Sequence, residues 1–406
     1  MNRRELLSLA TAVGAGSLLS GCASTPPAAL PSPSSTPSPV APAEIQPGLP
    51  GFAGQLFGAL APGNSNIVFS PWSIATVLSM VREGAVGATA AELDTLLGAT
   101  APEFGDSLAA GARAMQAAGG RLAVANCLWG QQGLGWSQPF LTRLETTYRA
   151  PLRQADFASD AEAARLEINQ WVDHRTRGKI PTLIDPGLID ELTRLVLVNA
   201  LHFKAPWSEP MVELGSRSFA TAEGKKVMVP TLTGAGNWPW LSTTDANATA
   251  IPCEGRDFAL VVALPKDATS RGFVDPSTCA KVLEAPPAPV SVQLPAWKFR
   301  LKVKLTEILK QLGLRLAFDD RADFSGMTTQ EQLQLGFVVH EALIEVNAKG
   351  IEAAAATAGG MGATGALVDP KELVLNRPFS YALMHVATAT PLFLGRVGDP
   401  SVESVG

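Results

Sequence analysis

Residues 347–378 read NAKGIEAAAATAGGMGATGALVDPKELVLNRP. Strand-like apolar runs flank the stretch: Phe337-Val338-Val339-His340 through Val346 before it, and Leu373 through Leu375 after it. Between Gly350 and Val368 the only charge is Glu352, amid mostly Ala, Gly and Thr. Connections in compact domains usually run about 4–6 residues, and structureless loops beyond about 12–15 are functional or disordered. This one is longer, and it lacks the Ser, Lys and Glu content of a solvated tether. Its first part alternates. Ile351, Ala353, Ala355, Thr357 and Gly359 share one face of an extended chain, with Glu352 on the other. The stretch therefore reads as a loop that is suited to become a buried strand.

The chain around it has 406 residues, 46% hydrophobic and 17% charged, enough for one large core or two smaller ones. Formal net charge is −5, and no basic run points to nucleic acid as a partner. The N-terminus reads as a targeting segment: Arg3 and Arg4, an apolar Leu6 to Leu19 too short to span a bilayer comfortably, then Leu19-Ser20-Gly21-Cys22. It resembles a bacterial lipoprotein signal, residues 1–21, cleaved before Cys22, whose thiol would take the lipid. Asn2-Arg3-Arg4-Glu5-Leu6-Leu7 also resembles a twin-arginine export signal. Residues 22–50 are a Pro/Ala/Ser-rich tether that favours extended backbone, and residues 51–406 are the folded domain. An exported, lipid-anchored location in the cell envelope or extracellular space is expected.

Within the domain, Phe52, Leu56, Phe57 and Leu60 have helical spacing. Asn66-Ile67-Val68-Phe69-Ser70-Pro71-Trp72-Ser73-Ile74 precedes a helical Ala75 to Glu83, and Thr89 to Glu92 has the form of a capping box. Leu122 to Trp129 reads as a strand. Leu195-Val196-Leu197-Val198-Asn199-Ala200-Leu201-His202-Phe203 is long enough to cross a sheet buried on both faces. Phe258 to Leu264, Val290 to Leu294 and Trp297 to Leu301 carry strand signals, and Leu305 to Leu314 is amphipathic.

Val339-His340-Glu341-Ala342-Leu343-Ile344-Glu345-Val346-Asn347 and Gly350-Ile351-Glu352-Ala353-Ala354-Ala355-Ala356-Thr357 resemble the hinge of a serpin reactive-centre loop. Asn376-Arg377-Pro378-Phe379 and Pro391-Leu392-Phe393-Leu394-Gly395-Arg396-Val397 resemble the serpin C-terminal signature, and Ala322-Asp323-Phe324-Ser325-Gly326-Met327 is another serpin-like phrase. The resemblance spans about residues 51–400. It implies an α+β fold of three β-sheets with about eight or nine helices and an exposed loop. It also implies a suicide inhibitor of serine proteases, monomeric and without a cofactor. In such a protein the target attacks a loop bond, forms an acyl-enzyme, and is trapped when the cleaved loop enters the main sheet. The resemblance assigns Ser70 and Ser73 to the region under the sheet centre. It pairs Asn199 with His340, and sets Trp207 where insertion begins.

Family spacing from Gly350 puts the reactive bond at Thr364–Gly365, with Met361, Ala363 and Leu367 as alternatives. No Lys or Arg lies between Gly350 and Pro370, so a trypsin-like pocket has nothing to bind, whereas elastase-, chymotrypsin- or subtilisin-like pockets have suitable residues. Two positions depart from the family pattern: Ala348 replaces a glutamate and Ile351 a small Thr or Ser. A non-inhibitory serpin acting as a binding or structural lipoprotein is the alternative reading.

Other chemistries fit less well. Gly360-Met361-Gly362-Ala363-Thr364-Gly365 is a literal GxGxxG, but Pro370 follows where a dinucleotide fold needs a helix. A Ser-His-Asp hydrolase lacks its nucleophile elbow among residues with only four histidines. Cys127, Cys253 and Cys279 show neither a CxxC nor a His pair, so no metal is expected.

Overall fold

The strand Leu195–Phe203 has no exposed residue along its length. Its two faces bury against different partners. Leu195, Leu197, Leu201 and Phe203 enter the large core, while Val196, Val198 and Ala200 enter a smaller cluster with Ile168 and Val172 of the helix Ala161–Arg175. Double burial explains why the strand reads as a near-continuous apolar run. The computed structural model describes residues 46–61, 63, 65–100, 103–117, 121–267, 275–351 and 369–405, all within the unit Pro42–Gly406.

The main sheet runs Ser404–Val405, Trp297–Lys304, Phe337–Asn347, Leu195–Phe203, Leu122–Gln131, Arg153–Ala155. Its two central strands, Leu195–Phe203 and Phe337–Asn347, pair in parallel from Phe337↔Val196 to Leu343↔His202. Each is antiparallel to its neighbour on the other side. A second continuous path of strands begins at Ile67–Phe69 and passes through Thr390–Val397, Phe379–His385, Phe258–Pro265 and Ala246–Pro252 to Lys226–Ser242. That last strand belongs to two sheets. Trp240–Ser242 pair with Ala246–Pro252, while Thr231–Pro239 pair with Pro287–Pro295, which carries Lys371–Val374 on its far edge. The three expected sheets are thus present, two of them joined through one strand.

Eight α-helices lie among the described residues. Pro71–Arg82 is buried from Pro71 through Val81, and it runs beneath the main sheet. Ser70 caps it by accepting the Ser73 amide at 3.2 Å, and Pro71 supplies a preset φ at the first turn. The first helix, Leu49–Leu60, buries Phe52, Leu56 and Phe57, as their spacing predicts.

The capping box expected at Thr89–Glu92 is not one. The helix there spans Gly87–Leu97 with Val86 at its N-cap. Thr89 Oγ1 instead accepts the Asp323 amide at 2.9 Å, and Glu92 accepts the Arg315 and Leu316 amides. Tertiary partners took side chains that local pattern assigns to the helix end. The long strand Lys226–Ser242 was hidden by its glycines. Gly236 has no room for a Cβ, which would lie 2.2 Å from Nε1 of the buried Trp238.

Candidate functional site

The parallel pair of central strands is held together on its inner face by one histidine. His340 is opposite Asn199 in register, and its Nδ1 meets Asn199 Oδ1. An amide oxygen only accepts, so Nδ1 carries the proton. Nε2 is then the acceptor for the Ser70 backbone N–H at 3.2 Å. Asn199 Nδ2 donates to Ser73 Oγ at 2.7 Å and to Asn126 Oδ1 at 2.9 Å, and the Ser73 hydroxyl donates to Asn126 Oδ1 at 2.8 Å. Burial pulls the His340 imidazole down to about 3, so the ring is neutral. Ser70, Ser73, Asn199 and His340 are therefore one hydrogen-bonded unit linking the buried helix to both central strands.

Asn126 completes that unit, and sequence reasoning missed it. The available signal was an amide in the middle of the apolar strand Leu122–Gln131, opposite Asn199. Glu341 was missed too. Its side chain is fully buried, pairs with Arg300 at 2.5 Å, and leaves Oε2 without a hydrogen-bond partner among the described residues. Burial raises its carboxyl above the usual range, against the pull of Arg300.

At the upper end of the sheet the chain turns back on itself. Asn347 Oδ1 accepts the Lys349 amide at 2.9 Å, an Asx-type turn through Ala348 and Lys349. Gly350–Ile351 then run antiparallel to Val346 and Asn347 on one side, and antiparallel to Ala205–Pro206 on the other. This short segment occupies the space between the extensions of the two central strands. Gly350 has φ +149, and a Cβ there would lie 2.2 Å from the Ala205 carbonyl oxygen, so only glycine fits. Ile351 is fully buried. Trp207 closes this end: its indole N–H donates to Asn347 O at 2.8 Å, and its backbone N–H to Lys349 O at 3.4 Å. Trp207 lies at the turn, apart from the His340 cluster.

Glu352, Ala353, Ala354, Ala355 and Ala356, the bond Thr364–Gly365, its alternatives Met361, Ala363 and Leu367, and Cys22 lie outside the described residues. Cys127, Cys253 and Cys279 are buried and form no disulfide with one another. Desolvation pushes the thiols of Cys127 and Cys253 up to about 12, which leaves them as inert core groups. Among the described residues no cluster of His, Cys, Asp or Glu has the form of a metal site.

Similarity to known proteins agrees with this arrangement. The family described as "Serpin (serine protease inhibitor)" matches residues 49–400. Leukocyte elastase inhibitor of Bos taurus is 34% identical over 368 residues, covering 86% of this chain and 97% of its own. Among solved structures, Manduca sexta serpin-12 superposes with a TM-score of 0.78 at 23% identity, covering 88% of this chain and 100% of its own. The thermophilic serpin tengpin in its native state gives 0.75 at 25%, covering 87% and 93%. The chain belongs to the serpin family. It is a serine protease inhibitor by family, not an enzyme.

Proposed function

We propose that the chain is a suicide inhibitor that traps its protease by inserting the cleaved loop between the central strands. One observation carries this reading: Gly350–Ile351 already pair on both sides, in the direction an entering strand must take. Continuing that register sets residue 353 beside Ile344 and Phe203, and 355 beside Ala342 and Leu201. Thr357 comes level with His340 and Asn199, so its backbone would part that pair. Residues 353, 355, 357 and 359 would share the inner face with Ile351. Insertion replaces one parallel ladder by two antiparallel ones, and parallel pairing is the slightly weaker kind. The native state is then a kinetic trap above a more stable form.

The chemistry is ordinary acyl transfer. The protease serine Oγ bonds to the Thr364 carbonyl carbon, the bond to Gly365 breaks, and the Gly365 amine leaves with a proton. Water would normally hydrolyse the ester, and insertion outruns it. In the inserted register Gly360 is level with Phe337 at the foot of the sheet. Thr364, four residues on, then lies about 13 Å beyond it at ~3.3 Å per residue. Small Thr364 suits an elastase-like target, and resemblance to an elastase inhibitor supports this choice. Export, lipidation at Cys22 and a monomeric state complete the proposal; mass analysis of the mature N-terminal peptide tests the lipid.

The test of mechanism is incubation of the protein with elastase, chymotrypsin, subtilisin and trypsin, followed by denaturing electrophoresis and intact mass. A complex that survives denaturant, with a released peptide starting at Gly365, is expected. Cleavage by every protease with no stable complex would favour the non-inhibitory alternative.

A further inference from the structure

The Asn126 amide, bonded to Asn199 and Ser73 beside the central pair, has a second side. Asn126 Oδ1 is taken by Ser73 and Asn199, but its Nδ2 makes no hydrogen bond among the described residues. Asn126 lines a cavity of about 60 Å³ between the helices Pro71–Arg82 and Glu103–Ala117 and the strand Leu122–Gln131. Trp72, Thr76 and Met80 form the buried part of the lining; Gln116, Arg149 and Arg175 form the exposed rim. Thr76 Oγ1 already donates to Trp72 O, and the neighbouring Tyr148 hydroxyl to Glu83. Among the described residues no carboxylate lines the cavity. Two guanidinium groups and the amides of Asn126 and Gln116 thus share it with no acid among the described residues, in a chain whose net charge is −5.

Neither arginine has an ion-pair partner among the described residues. Arg149 is held at φ 52, at the end of the helical turn Leu144–Tyr148. Arg175 lies 5.9 Å from the Trp171 ring, which also takes Arg153 at 5.5 Å. Two guanidiniums on one indole repel each other, and an anion beside Arg175 relieves that repulsion. A helix C-terminus favours a cation by itself, which accounts for Arg175 and for Arg149 at the end of Leu144–Tyr148, but not for the open Asn126 amide.

We propose that this cavity is a binding site for a small oxyanion, a phosphate or carboxylate group held by Arg149, Arg175 and Asn126 Nδ2. The volume is about that of two waters in the liquid, room for one such group and little more. Guanidinium forks match the oxygens of either group. The consequence reaches the sheet. An anion on Nδ2 fixes Asn126 with its oxygen toward Ser73 and Asn199, which favours the closed central pair and slows its opening.

The test uses the full chain. Thermal unfolding is followed during titration with sodium phosphate, and separately with sodium acetate, against sodium chloride at equal ionic strength. A saturable rise in midpoint of about 2 °C or more is expected from one oxyanion, and the one saturating at lower concentration names the class. The double variant Arg149→Gln/Arg175→Gln should lose the rise while keeping the midpoint seen in chloride. Should that variant fail to fold, the Asn126 side-chain N–H₂ signals of the unaltered protein serve instead, and they should shift on titration. No saturable difference from chloride, a rise retained in the folded variant, or unmoved Asn126 signals would overturn the proposal.

Discussion

Ile351 lies in register with Val346, and the pair sits wholly inside the protein at the top of the main sheet. Burying such a side chain contributes about 2 kcal/mol. A charge on this face would be buried unpaired at a cost of several kcal/mol. Ile351→Glu and Ala353→Glu, both inward in the proposed register, should abolish the denaturant-stable protease complex while loop cleavage continues. Ala354→Glu, on the opposite face, should retain it. Equal loss for all three, read by electrophoresis, would sink the register.

Gly350 is the pivot of the same segment. Gly350→Ala forces a Cβ against the Ala205 carbonyl and onto a backbone that L-residues avoid, for about 1–3 kcal/mol. The expected result is local: Gly350–Ile351 leave the sheet end, and the amide hydrogens of Gly350 and Ile351 exchange faster. Protection at Asn199 and His340 should be unchanged. Hydrogen exchange by mass spectrometry decides it, and unchanged protection at Ile351 would contradict the wedge.

Acid should loosen the central pair. Burial holds His340 near 3 and His202 near 4, and lowers His385. The unfolded chain binds those protons near the ordinary value of about 6.5. Stability is therefore fully present above that pH and falls as pH drops below it, by about 1.4 kcal/mol per pH unit for each histidine. Glu341, raised by burial, works in the opposite direction, so the informative quantity is a difference. Urea midpoints from pH 7.5 to 4.5 should fall less steeply for His340→Gln, by one proton. Parallel curves would show that His340 is not the responsible group.

Asn126→Ala removes the acceptor shared by Ser73 and Asn199 and leaves two buried donors unsatisfied. Each costs about 1–3 kcal/mol. The variant should unfold at clearly lower urea concentration, and heat should open its main sheet faster. A loss under about 0.5 kcal/mol would mean that Asn126 does not tie the strands.

Much of this was legible from residue pattern. The apolar run of Leu195–Phe203 and the Ser-Pro turn at Ser70-Pro71 each have a local physical cause. What stayed hidden was set by distant partners. Thr89 and Glu92 look like a cap until residues 315–323 claim them. Gly236 looks like a strand breaker until Trp238 fills its space. Asn126 and Glu341 are polar residues inside otherwise largely apolar strands, and only the register that sets Asn126 opposite Asn199, and the contact with Arg300, reveals their roles. Ile351 was weighed as a departure from pattern; its burial between two strand ends makes it a fitted residue.

The parallel pairing of Leu195–Phe203 with Phe337–Asn347 also bears on how such a molecule is supplied. On the proposed mechanism, a seam that accepts one strand and then closes would have no return stroke. Each copy would then count once, so inhibition would depend on the stock held in reserve and the pace of its resynthesis, as with a fuse.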